Sequence, residues 1–269
     1  MRLTIAILAF AAAFQPFTPA AGQSAAPAVR STGFHNVHLR VADPAAAAEW
    51  YIKTLGATKA PAPFSIAFGR TLIALVRTET PQPSEGSAID HIGISFPDLR
   101  AKMKEFEAAG VKILRPVAEA KGMFAYGYIE DPWGVKIEVM QDSELIGFHH
   151  VHLSVADPAA ALKWLHDNLG GEQAKLRGIL DGVRYGPIWV FASKAAAAPA
   201  PSASRAIMSL AVDVPDVDQA ASALQGRGLK PASGPAQAGP VRYAFFDDPN
   251  GVRIELVTHA RLALAPRNL

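Results

Sequence analysis

Internal repetition is the strongest constraint on the fold. Phe34, Asp43, Trp50 and Gly56 recur as Phe148, Asp157, Trp164 and Gly170, each displaced by 114 residues. A second pair of segments, Asp131-Pro132-Trp133-Gly134 and Asp248-Pro249-Asn250-Gly251, is displaced by 117. Four residues past each of these glycines stands a glutamate, Glu138 in one copy and Glu255 in the other. A chain that repeats at this scale is a tandem duplication, each copy burying its apolar face by the same local solution. The copies span about 34–145 and 147–260.

Each copy divides again. Segments 37–41, 92–96, 151–155 and 210–214 read as strands, each running into an Asp (Asp43, Asp98, Asp157, Asp216) where helical periodicity begins. An Asp there accepts from the free amides of a helix start. Pro44 and Pro158 take the first helical position, where a missing N–H costs nothing. Leu99, Met103 and Phe106 form the buried stripe of the second helix, which ends at Gly110; Val217, Ala221 and Leu224 do so for the fourth, ending at Gly228. Strand-like runs follow at 71–77, 124–130, 135–140, 188–192, 243–247 and 252–257. The order is strand, helix, then about three strands, four times over: an α+β chain of four βαβββ modules. Linkers at 79–87 and 195–204 separate modules within each copy, and 141–147 joins the copies. Segments 59–68 and 175–185 read as loops that would shape a pocket.

The N-terminus differs in kind. Met1-Arg2, an apolar run over 3–14 and the small residues Ala20-Ala21-Gly22 have the layout of a secretory signal. The run is too short for a membrane span, which needs about 20 residues. Residues 1–26 are therefore expected to be signal and leader, with cleavage between Gly22 and Ala26, a loose segment to about Arg30 and a periplasmic or secreted product. A formal charge of +2 and no clustered basic residues argue against a nucleic-acid partner, and the absence of cysteine excludes disulfides and thiolate chemistry.

The strand that opens the second copy, Phe148-His149-His150-Val151-His152-Leu153-Ser154, carries the chemistry. Alternation puts His150, His152 and Ser154 on one face and Val151 and Leu153 on the other. The first copy has Asn36 where His150 stands. By the same alternation His35 and His149 face the other way, as packing residues. His166, on a helix, and His259 read as solvated.

A fourfold strand-helix-three-strand repeat, a histidine seven residues before the helix-cap Asp, and a DPxG turn followed by Ile-Glu resemble the vicinal oxygen chelate superfamily. That superfamily includes glyoxalase I, bleomycin-resistance proteins, fosfomycin-resistance enzymes and extradiol dioxygenases. The resemblance covers about 34–260 and implies two domains, 34–145 (modules one and two) and 147–260 (modules three and four). It also implies paired modules curling around a cavity, with metal ligands drawn from a His on first strands and a Glu on last strands. The first-strand position holds Asn36, His91, His150 and Ser209; the last-strand position holds Ala74, Glu138, Trp189 and Glu255. If neighbouring modules pair, each cavity receives one His and one Glu. If modules two and three pair, as in a fused domain-swapped dimer, one cavity collects His91, Glu138 and His150. The second arrangement is favoured, because three protein ligands make a catalytic site and two do not.

The resemblance thus implies a divalent metal (Fe, Mn, Zn or Ni) on His91, Glu138 and His150. His152, on the same strand face as His150, reads as a general base that carries a proton. The turn at Asp131, read as a type I turn with a Gly bulge, pairs Tyr128 with Glu138 and sets Tyr126 and Tyr128 against the substrate. The expected product is an exported metal-dependent enzyme of the glyoxalase or dioxygenase type, a lyase, isomerase or dioxygenase, acting on a small molecule as a monomeric pseudo-dimer. The alternative is a non-catalytic binder of the bleomycin-resistance type. Glyoxalase I itself needs a second Glu, where module three offers Trp189, and extradiol cleavage as the family usually arranges it needs a His where Ser209 stands.

Overall fold

The computed structural model describes residues 26–259. The expected signal up to residue 25 lies outside the described residues. Module one comprises β1 (Gly33–Val41), α1 (Pro44–Leu55), β2 (Thr58–Lys59), β3 (Ser65–Phe68) and β4 (Thr71–Arg77). Module two comprises β5 (Ile89–Ser95), α2 (Leu99–Ala108), β6 (Lys112–Glu119), β7 (Ala125–Glu130) and β8 (Lys136–Met140). Module three comprises β9 (Gly147–Val155), α3 (Pro158–Leu169), β10 (Glu172–Leu176), β11 (Leu180–Tyr185) and β12 (Ile188–Lys194). Module four comprises β13 (Ile207–Asp213), α4 (Val217–Gly226), β14 (Pro231–Ala238), β15 (Val241–Asp247) and β16 (Arg253–His259).

All four helices start where the Asp caps place them. Asp43 Oδ1 accepts from the amides of Ala45 and Ala46, Asp98 from Ala101, Asp157 from Ala160 and Asp216 from Gln219. Each such cap is worth about 1 kcal/mol. Gly56, Gly110, Gly170 and Gly228 follow the helices with positive φ, as a chain reversal there requires.

Among the described residues sixteen strands form two eight-stranded mixed sheets, and each sheet takes one module from each copy. One runs β14-β15-β16-β13-β1-β4-β3-β2 and joins modules four and one; the other runs β10-β11-β12-β9-β5-β8-β7-β6 and joins modules three and two. In every module the first strand lies parallel to the last, and the first strands of the two modules pair antiparallel at the centre. The side chains that alternate away from the cavity face are fully buried: Val37 and Leu39, Ile92 and Ile94, Val151 and Leu153, Leu210 and Val212. They belong to one continuous apolar core with the helix stripes. Phe34 and Phe148 stack at 5.7 Å, and the Tyr51 hydroxyl on α1 donates to Asp131 in module two, so the sheets share that core.

Several expectations change. Segment 175–185 is a hairpin, β10 into β11, and 59–68 contains β3; short strands flanked by glycine looked like loops because neither is apolar throughout. The outer strands β6 and β14 carry Pro116, Pro231 and Pro235, which a sheet tolerates at its edge. The segment before β1 is not loose from Ala28 onward. The Ala28 and Val29 amides donate to the carbonyls of Asp167 and Asn168 at the end of α3, and Val29 is 3% exposed. The two linkers pair with each other through parallel bridges, Gln82 with Arg205 and Ser87 with Ala200. His166 is half-buried, its Nδ1 bonded to the Gly171 carbonyl rather than to solvent.

Candidate metal centre

The central pair β5 and β9 brings His91 and His150 together from opposite copies, with ring centroids 5.5 Å apart. Glu138 reaches the same point from β8, whose register sets it beside Gly93 on β5. The Asp131 turn fixes that register: Asp131 N donates to the Val135 carbonyl and Gly134 has φ 87°, so Tyr128 falls opposite Glu138. Ligand-type atoms of His91, Glu138, His150 and His152 all lie within 4.8 Å of one another. The group brought together is thus the expected three plus His152. Glu138 Oε2 is 3.1 Å from His91 Nε2, 3.2 Å from the Tyr128 hydroxyl that donates to it, and 3.5 Å from His150 Nε2. Tyr126 stands one ring further out, 5.9 Å from Tyr128.

Strict strand alternation fails at two β-bulges, and both matter to the site. Between His91 and Ile89 the extra residue is Asp90; between His150 and Phe148 it is His149. The expectation that His149 faces away is therefore corrected. Its Nδ1 lies 3.0 Å from His150 Nδ1 and its Nε2 3.3 Å from Asp142, which also holds Arg177 at 2.9 Å. Asp90 takes the corresponding place behind His91, 2.7 Å from its Nδ1, and pairs with Lys136 at 2.8 Å.

These outer partners set the tautomers. The Asp142 carboxylate only accepts, so His149 carries its proton on Nε2 and offers a lone pair at Nδ1. His150 must then place its proton on Nδ1, and its Nε2 becomes a bare lone pair directed at the Glu138 carboxylate. That Nε2 is buried and without a hydrogen-bond partner. Two acceptors facing each other in a buried site repel unless a proton or a metal cation lies between them, and imidazole with carboxylate is the donor set that Fe, Mn, Zn and Ni accept. The residues present therefore fit the metal that the fold implies.

Protons answer the same demand for positive charge when they occupy the group. Burial would raise Glu138, but the imidazoles of His150 and His91 hold it well below the usual carboxylate range. Burial keeps His150 below the ordinary histidine value; His152 lies well below it, through burial and then the nearby His91 and His150. Burial opposes protonation of His91 too, yet Asp90 and Glu138 carry it upward. Burial pushes His149 down to about 4, so it stays neutral.

Gly93 is the residue that sequence reasoning missed and had a signal for. A Cβ at this position would stand 2.2 Å from the His150 ring. A glycine inside a strand often marks such a close approach. The last-strand position of module three is corrected as well. Gly93 faces Glu138 and, at the same step of module three, His152 faces Phe191, so Phe191 rather than Trp189 occupies it. Phe191 packs at 5.2 Å from the His150 ring and stacks on Trp189 at 5.3 Å. Together with Leu176 they form a separate apolar cluster, against which Met123, Phe124, Ala174 and Leu180 pack.

In the other sheet the corresponding positions hold Asn36, Ser209 and Glu255, with Phe245 opposite Glu255. Arg40, Arg184 and Arg242 are engaged by Thr78, Glu172 and Asp218 respectively, and the Arg184 guanidinium also lies 5.6 Å over the Trp189 ring.

Comparison with known proteins places both copies in one family. Residues 33–139 and 147–256 each match the model of the Glyoxalase/Bleomycin resistance protein/Dioxygenase superfamily. Glyoxalase I from Zea mays is 19% identical, with a TM-score of 0.66 over 85% of this chain and 92% of that one. A putative dioxygenase from Bacillus subtilis subsp. subtilis str. 168 is 15% identical, with a TM-score of 0.64 over 87% of each chain. At these identities the likeness shows the fold. No curated protein sequence matches the chain.

Proposed function

The chain belongs to the Glyoxalase/Bleomycin resistance protein/Dioxygenase superfamily, and from that premise we propose that it is an exported, metal-dependent enzyme. It holds neighbouring oxygens of a small substrate at a site of two histidines and one glutamate. The observation that carries this reading is His150 Nε2, buried and unpartnered between His91 and Glu138. His91, Glu138 and His150 would hold the metal, which when bound supplies Lewis acidity toward vicinal oxygens or, as Fe(II), dioxygen chemistry.

The protein's own groups do the rest. Tyr128 donates to Glu138 and fixes the carboxylate, while its ring edge packs 5.2 Å from His91. His152, neutral and half-buried, takes a substrate proton; Ser193 Oγ at 2.6 Å from its Nε2 orients the ring. Tyr126 and Tyr128 face the substrate from one side and Phe191 and Trp189 from the other, excluding water. Phe191 cannot serve as the second glutamate of glyoxalase I, which weighs against that reaction. The objection from Ser209 to dioxygenase chemistry lapses, because Ser209 belongs to the other sheet and it is His91 whose ring meets that of His150, at 5.5 Å.

Metal analysis of the purified mature protein, prepared aerobically, anaerobically and after reconstitution, tests this reading. One divalent metal per chain, lost in His150→Ala, is expected; none in any preparation refutes it. The apolar cluster of Leu176, Trp189 and Phe191 favours a second reading, a non-catalytic binder of apolar small molecules, and absence of metal would select it. Export rests on the N-terminal sequence, and recovery of the protein from the cytoplasm with residue 1 intact would contradict it. The pseudo-dimer is expected to run as a monomer in light scattering.

A further inference from the structure

The sheet that joins modules one and four carries a second site with a different chemistry. Asn36, His38, Ser209 and Glu255 lie on its cavity face, while Val37, Leu39, Leu210 and Ile254 turn to the core. Asn36 is 5% exposed and its Nδ2 faces two acceptors, Glu255 Oε2 at 3.1 Å and His35 Nδ1 at 2.7 Å. Those contacts fix the amide orientation and leave Oδ1 buried with no hydrogen-bond partner. It is one of two such atoms among the described residues, and the other is His150 Nε2, at the equivalent position of the metal group. Each sheet therefore presents one unsatisfied buried acceptor at the same place.

The surroundings differ. His38, held neutral by burial, lies 2.9 Å from Ser209 Oγ and 3.6 Å from Glu255 Oε2. No Lys or Arg pairs with Glu255 among the described residues, since Arg40 on the same face turns to Thr78 and the Ala203 carbonyl. Ala211 faces Asn36, so the space that Gly93 leaves for a histidine ring is filled. Of these side chains only His38 and Glu255 are of the types that hold a metal firmly, too few for a structural site. Tyr243 and Phe245, rings 5.7 Å apart and half-buried, stand beside the group, with Phe245 5.9 Å from His38.

A carboxyl with no Lys or Arg beside it, an amide oxygen awaiting a donor and adjacent aromatic faces are complementary to N–H groups carrying positive charge. We propose that the group of Asn36 and Glu255, on the sheet face of modules one and four, binds a small organic cation. A protonated primary amine there donates to Asn36 Oδ1 and to the Glu255 carboxylate while its apolar body lies against Tyr243 and Phe245. Burial, which lifts the Glu255 carboxyl to about 7 when the site holds no cation, supports the assignment.

Calorimetric titration of the mature protein with benzylamine and phenethylamine tests it, with benzyl alcohol as the uncharged comparison. Saturable binding of the amines but not the alcohol is expected. Affinity should fall about tenfold or more in Glu255→Gln and in Asn36→Leu, and hold in His150→Ala. Glu255→Gln keeps the side-chain shape, so circular dichroism should show it folded even if Asn36→Leu is not. No saturation by either amine, binding undiminished by Glu255→Gln, or loss of binding in His150→Ala would overturn the proposal.

Discussion

Replacing Gly93 by alanine tests how tightly the site is built. The new methyl would stand 2.2 Å from Cε1 and Nδ1 of His150 and 2.8 Å from its Nε2. Carbon contacts are comfortable at about 3.5–4.0 Å, so the ring must retreat by roughly 1.3 Å or more. It has nowhere to go. His150 is 2% exposed, with Phe191 and His149 each packed at 5.2 Å. Overpacking of this kind costs about 1–3 kcal/mol, which at about 2–4 °C per kcal/mol gives a measurable drop in Tm. Metal ligation tolerates displacements of only about 0.2 Å, so the variant should lose His150 as a ligand and bind metal at least ~100-fold more weakly. Differential scanning calorimetry and metal titration would measure both effects. A double-mutant cycle with His150→Ala isolates the contact, because Gly93→Ala should cost close to nothing once the ring is gone. Unchanged metal affinity in Gly93→Ala, or an equal stability cost in both backgrounds, would refute the reasoning.

Other consequences follow from the same geometry. Asp142→Asn should reverse the hydrogen bond to His149, protonate His150 on the nitrogen that faces Glu138, and weaken metal binding about 10–100-fold in a folded protein, as metal titration would show. Glu255 has its carboxyl raised from 4.5 to about 7 by burial, against the Asn36 N–H. The folded state therefore holds this proton more tightly than the unfolded chain, and stability should fall by up to ~3 kcal/mol as pH rises from 4.5 to 7. Glu255→Gln should flatten that slope in denaturant titrations across the range. Restoring the metal-type residues to the second cavity as Asn36→His with Ser209→His should add no metal while Ala211 fills the space opposite. Adding Ala211→Gly should raise the content from one to two ions per chain.

Much of the fold was legible because its signals are local and repeated. Four Asp caps, two DPxG turns and the period-two alternation of the first strands each reflect short-range chemistry, and each recurs at a fixed offset. The pairing of modules two and three, which brings His91 to His150, was reachable by counting ligands. What escaped was non-local or irregular. The bulges at Asp90 and His149 break alternation by one residue, and only a partner strand reveals where the extra residue falls. Asp142 and Arg177 lie 35 residues apart in sequence and meet only after β10 and β11 fold back as a hairpin. Phe191 displaced Trp189 because a two-residue step in register, invisible without the parallel partner, decides which aromatic stands at the step that Glu138 occupies in module two. Gly93 could have been found, since the equivalent position of module four is Ala211 and of module three His152.

Anomalous diffraction from crystals of the reconstituted protein, collected at the absorption edge of the bound metal, tests the central claim most directly. One peak is predicted in each chain, about 2.0–2.2 Å from His91 Nε2, the Glu138 carboxylate and His150 Nε2. A peak at Asn36 and Glu255 instead, or no peak between the two copies' histidines, would contradict it.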